Sequence, residues 1–272
     1  MDAPWFIFAV GLTYGLSFHR RLETDGSFKT YNQFFTRYVA IVGLGAIISA
    51  GETVAGQNPS GIDWGVLQSI GMAGLLTLPV INTHSTYRWI IGAGLLVLYQ
   101  VILNHSMLNF TIQSPHGGLF GSINWAAMLI LSTALADLFH DEKRGRKYFP
   151  WVSLGILILG AGLALLVPLS KHRVSSSYVL VTLGISALLF YLFHWMSTRA
   201  RLNLRFLVVW GKNPLILYFF HYLLIGVFFI PGIPVLYSSA PPWLVIIEFL
   251  FIIGSISLFA YWLERHRLII RL

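Results

Sequence analysis

The chain has 272 residues, of which 56% are hydrophobic and only 10% charged, and its mean hydropathy is +0.73. So few charges cannot solvate the surface of a water-soluble globule of this size, which makes the bilayer the solvent. The formal charge of +8 takes its meaning from where the cations fall, and the absence of cysteine removes disulfides, thiolate metal sites and a cysteine nucleophile together.

Crossing about 30 Å of hydrocarbon takes roughly 20 apolar residues per helix. In chain order the apolar runs are 3–18, 35–50, 64–81, 87–103, 119–139, 149–169, 178–195, 206–229 and 243–262. They are continuously apolar, without the alternation of a membrane β-strand. The expected fold is therefore all-α, a polytopic bundle of about nine membrane-spanning helices, with residues 1–272 as a single transmembrane domain.

Lys and Arg gather in alternate connections and the C-terminal tail: Arg20, Arg21, Lys29, Arg37, Arg88, Lys143, Arg144, Arg146, Lys147, Arg199, Arg201, Arg205, Arg265, Arg267 and Arg271. The opposite connections, 51–63, 104–118, 170–177 and 231–242, hold only Lys171 and Arg173. The positive-inside rule then places the C-terminus in the cytoplasm and, with an odd number of spans, the N-terminus outside. An outside N-terminus directly against the first apolar run leads us to expect a preceding helix that is lost, supplied by another chain, or omitted at the chosen start. The basic residues serve as a topology signal, with phosphate gripping as the alternative, and nucleic acid is not an expected partner.

Polar groups at membrane depth are costly and ask for a partner or a hydrated cavity. Gln68, Asn124, His194, Asn213, His221 and Glu248 fall in this class, with Lys212 beside them. Interhelical hydrogen bonding is the competing explanation for each one. Turn-forming or helix-breaking residues stand before the fifth run, Ser114-Pro115-His116-Gly117-Gly118, and within the eighth, Gly211-Lys212-Asn213-Pro214, and irregular backbone at that depth is tolerated where it lines a cavity.

Asp63 stands at the outer mouth of the third run with Gln68 deeper, and His105 and His116 lie in the neighbouring outer connection. A histidine oriented by a carboxylate can act as a general base. Asp63 and His116 are thus candidate catalytic residues, against the alternative that they cap helix ends. No HExxH or similar histidine pair supports a zinc site, so no metal is expected.

Four ordered segments resemble the heparan-alpha-glucosaminide N-acetyltransferase family, within the wider transmembrane acyltransferases. Asp2-Ala3-Pro4-Trp5-Phe6-Ile7-Phe8-Ala9-Val10-Gly11 is similar to that family's D-x-x-x-P-x-F-x-F-x-x-G helix start, and Gly65-Val66-Leu67-Gln68-Ser69-Ile70 to its G-V-L-Q-R-I pattern. The segment from His116 to Ile123 is similar to E-G-L-L-G-T-L, and that from Gly211 to Tyr218 to G-x-N-A-L-x-L-Y.

The resemblance implies acetyl transfer from cytoplasmic acetyl-CoA, as co-substrate, to a sugar amine or hydroxyl on the far side of the membrane. It implies phosphate-binding cations among Arg20, Arg21, Lys143 and Arg144, with Gln68 and Asn213 as further cofactor-binding residues. It also implies one more N-terminal helix, followed by a catalytic histidine in the outer segment just before the helix that starts at Asp2, a histidine that no residue here matches. His116 replaces a family glutamate, and Ser69 a family arginine. The other expectation is a non-catalytic accessory subunit of a larger membrane complex, derived from the same scaffold, in a bacterial inner membrane. Expected partners are the lipid bilayer, a second copy or a larger complex, and a sugar acceptor if the chain is active.

Overall fold

The computed structural model describes residues 2–54, 63–142, 145–199, 205–229 and 239–269. These residues form helices, turns and connections, with no strand among them. The helices are α1 (Asp2–Asp25), α2 (Ser27–Val54), α3 (Val66–Thr77), α4 (Ser85–Ile102), α5 (Leu108–Thr111), α6 (Gly118–His140), α7 (Gly145–Leu163), α8 (Ser176–Thr198), α9 (Arg205–Gly211), α10 (Pro214–Phe229) and α11 (Pro242–Arg265). Each expected apolar run therefore lies on a helix or a broken pair of helices. Five helical segments are long and apolar enough to cross a membrane, or six if the bent pair α9 and α10 counts as one.

The departures from the expected boundaries have local causes. α3 has only 12 residues because Pro79 lacks the N–H that would continue the helix. Pro168 likewise lies just beyond the end of α7, whose last residue is Leu163. The expected connection at 104–118 is helical as far as Thr111, because a π-turn at Leu103–Met107 carries α4 into α5. Gly26, with φ of +79°, makes the tight corner between α1 and α2, a backbone state that costs a Cβ-free residue little. At Gly211 to Asn213 the chain turns by 86° between α9 and α10, the break foreseen from Pro214.

Close contacts fix the registers. On one side of α6, Gly11 faces Ser132 and Gly15 faces Asp137, so α1 runs parallel to α6. On another, Gly92 meets Leu131 and Tyr99 stacks on Phe120, so α4 runs antiparallel. Gly45 against Gln68 and Gly71 against Val42 set α2 and α3 antiparallel, while Gly160 and Gly184 let α7 and α8 approach to backbone contact. Every residue from Asn124 to Ala136 on α6 is buried. A helix apolar around its whole circumference is a core helix, and α1, α3, α4 and α7 pack against it.

The described residues divide into two compact units, Met1–Trp195 and Met196–Leu272. In the second, Val209, Leu217, Leu224, Ile256, Ala260 and Leu263 pack α9, α10 and α11 around a small core.

Candidate functional site

In the first unit buried polar groups collect at the two ends of α6. At the end where α6 begins, Ser49 Oγ donates to the carbonyl of Asp63 at 2.8 Å. Gln68 Nε2 donates to that same carbonyl at 3.1 Å, while Gln68 Oε1 accepts the Gly65 N–H at 3.0 Å. Asp63 Oδ1 accepts the N–H of Trp64 at 2.7 Å. Asp63 and Gln68 are thus brought together, in a network that ties down the start of α3, with both ends of the Gln68 amide engaged. Ser69, where the family pattern has arginine, turns its hydroxyl back to Gly65 O at 3.1 Å.

His116 belongs to a second cluster at the same end. It lies in the three-residue turn Pro115–Gly117, is 8% exposed, and has φ of +56°; Gly117 and Gly118 follow at +77° and +60°. Its carbonyl accepts the indole N–H of Trp125 at 3.1 Å. Facing it is Val174, fully buried with φ of +46°, a state a β-branched residue adopts only when its surroundings hold it there.

What holds Val174 is visible. Asn124 Nδ2 donates to its carbonyl at 2.5 Å, and Tyr99 OH donates to the carbonyl of Arg173 at 2.6 Å. Ser176 N donates to Gln100 Oε1 at 3.0 Å, and Ser176 Oγ donates to Leu96 O at 2.8 Å. A Cβ on Gly117 would reach Val174 Cγ2 at 2.7 Å, and one on Gly121 would reach His116 O at the same distance. Two strained segments are therefore packed against each other over the first turns of α6 and α8. Asn124 Oδ1 is buried there without a donor among the described residues.

At the opposite end, Arg88 and Asp137 form an ion pair in which Arg88 is 2% and Asp137 42% exposed. Arg88 Nε also donates to Thr83 O at 3.2 Å. Arg88 is accordingly part of the packed interior of the first turn of α4. Asp137 is a residue that sequence reasoning passed over, although a carboxylate inside the apolar run 119–139 was itself the signal.

Of the expected phosphate-binding cations, Arg20 is exposed and Arg21 half-buried, with Arg21 Nη1 donating to Gln33 Oε1 at 2.8 Å. Lys143 and Arg144 lie outside the described residues. Asn213 belongs to the second unit, where its Nδ2 donates to Leu268 O at 2.9 Å, beside a Lys212–Glu264 ion pair of 2.8 Å.

Long apolar helices around a buried central helix define an integral membrane protein. Residues 1–196 match the family described as heparan-alpha-glucosaminide N-acetyltransferase, catalytic, and the chain belongs to that family. The matched residues coincide with the first compact unit, and the Gly211 to Tyr218 segment lies beyond them. Members of the family use acetyl-CoA as co-substrate. No curated protein matches the chain.

Proposed function

We propose that this protein is a membrane-bound acyltransferase that holds the phosphates of acyl-CoA at the basic end of α6 and transfers its acyl group to a sugar hydroxyl or amine at the opposite end, where the thioester reaches. The observation that carries this reading is the match of the entire first unit to a catalytic region, in which polar groups are buried at both ends of one core helix. Arg20 and Arg21, with Lys143 and Arg144 as further candidates from the sequence, supply cations for the donor's phosphates.

At the other end His116 is the base that removes the acceptor's proton as the acceptor oxygen or nitrogen attacks the thioester carbonyl. The C–S bond breaks and the coenzyme A thiolate leaves, to be protonated by solvent. Asp63 and Gln68 act by shaping the same end through α3. The location consistent with this chemistry is a bacterial inner membrane, with the basic connections in the cytoplasm.

The experiment is acyl transfer from radiolabelled acetyl-CoA to glucosamine by the purified full chain in liposomes. His116→Ala is expected to slow the transfer by about a hundredfold or more, the usual scale of a lost general base. An unchanged rate removes His116 from the site. A chain that transfers nothing alone, and is recovered in fixed proportion with other membrane proteins after mild detergent extraction, replaces this reading with that of an accessory subunit.

A further inference from the structure

In the second unit, the sequence from 196 to 213 and from 264 to 272 holds seven Lys and Arg and a single carboxylate, Glu264. The unit's other acid, Glu248, lies further back along α11, about 24 Å away at 1.5 Å of rise per residue. Glu264 pairs with Lys212 at 2.8 Å. With that pair formed, the charge left at this end is all cationic.

The end also has a fixed shape. α9 turns through 86° from α10, so it lies across the end of the α10–α11 pair instead of extending it. Val209 anchors α9 in the small core, and Asn213 Nδ2 donates to Leu268 O at 2.9 Å, which ties the residues after α11 to the elbow. Arg267, with φ of +55°, makes the turn that ends α11. Its N–H donates to Glu264 O at 3.0 Å, and that of Leu268 to Leu263 O at 2.9 Å. Arg265 and Arg267 are exposed, and they stand on this hydrogen-bonded turn.

Apolar surface accompanies the cations. Phe206, Leu207 and Val208 are exposed on α9, and Tyr261 and Trp262 near the end of α11. Trp and Tyr beside exposed apolar groups and cations mark the level at which acyl chains meet headgroups. A soluble anion or a nucleic acid would use the arginines and leave the apolar surface in water. A phospholipid with a negative headgroup uses both.

We propose that this end of the second unit seats an anionic phospholipid: Arg265 and Arg267 hold the headgroup phosphate, and Phe206, Leu207 and Val208 of α9 lie against the acyl chains. A guanidinium suits the task because its paired N–H donors match two phosphate oxygens. Each cation held at an anionic surface raises affinity about fivefold. The Lys212–Glu264 pair and Asn213 are positioning residues that keep the elbow and the turn together. The seat lies beyond residues 1–196 and does not depend on acyl transfer.

The test is native mass spectrometry of the purified full chain in nonionic detergent micelles, to which phosphatidylglycerol or phosphatidylcholine with the same acyl chains is added. Lipids retained per chain are counted. The wild type is expected to retain phosphatidylglycerol at a concentration about tenfold lower than phosphatidylcholine. Arg265→Gln combined with Arg267→Gln should remove most of that preference, whereas Lys29→Gln, in a different basic stretch, should keep it. No preference in the wild type, or a wild-type preference in the double variant, overturns the seat. An equal loss in Lys29→Gln overturns it too, since net charge alone would then explain the binding.

Should the double variant fail to fold, Phe206→Ser decides: weaker retention of phosphatidylglycerol supports the seat, and unchanged retention overturns it. Displacement of phosphatidylglycerol by an equal concentration of glycerol phosphate would reveal a site for soluble anions and overturn the lipid as occupant.

Discussion

Val174 and His116 hold left-handed backbone at the mouth of the bundle, and each such residue stores about 1–3 kcal/mol that its neighbours must supply. Asn124 and Tyr99 are those neighbours, each donating to a carbonyl of the 170–177 segment. Asn124→Ala should destabilise the protein by about 1–3 kcal/mol, because the buried carbonyl of Val174 is left without its donor. Tyr99→Phe, which keeps the ring on Phe120, should cost about 1 kcal/mol. Thermal unfolding in detergent reads both, and a Tyr99→Phe loss larger than that of Asn124→Ala would contradict this ordering. In the sequence these residues were legible only in part: Asn124 stood out as an amide in an apolar run, whereas Val174 fell in the expected connection 170–177 and Tyr99 within the apolar run 87–103. Backbone strain at a valine and a hydrogen bond across 74 residues have no local signature.

Helix pairs that pack without side chains between them depend on their glycines. A Cβ on Gly160 would sit 2.6 Å from the backbone N of Val181, and one on Gly184 2.8 Å from the Cα of Leu157. Small residues are what allow this approach in a bilayer, where no hydrophobic force drives helices together. Gly184→Leu should separate α7 from α8 and lower the unfolding temperature by several degrees, about 1–3 kcal/mol of overpacking. Gly162→Leu, at a position with open space around it, should leave stability unchanged. Equal effects at the two positions would show that the close approach is not what the glycine provides. At this scale the apolar runs marked every helix but α5, which falls in the expected connection 104–118, and Pro214 marked the break before α10. The shortness of α3 and the π-turn after α4 were not legible from apolarity, since both depend on where single residues interrupt or overfill the backbone ladder.

For the molecule as a whole, the expected orientation puts Arg20 inside and His172 outside. The chain has no cysteine, so Arg20→Cys and His172→Cys each introduce a single thiol. A membrane-impermeant maleimide applied to intact cells should label the second and spare the first until the membrane is permeabilised. Labelling of both from outside, or of Arg20→Cys alone, would reverse or abolish the cytoplasmic placement of the basic connections.

Composition, uninterrupted apolar runs and the one-sided placement of arginine and lysine determined by themselves that this chain is helical and meant for a membrane, because lipid offers backbone groups no other partner. The short segments beginning at Asp2, Gly65 and His116 likewise carried the family. Only the tertiary structure decided which polar residues meet. It joined Arg88 to Asp137 across 49 positions and Asn124 to Val174 across 50, and it committed Gln68 to capping α3. Those pairings follow from the register in which helices pack on α6, a property of shape and close contact between distant segments that no single run of sequence contains.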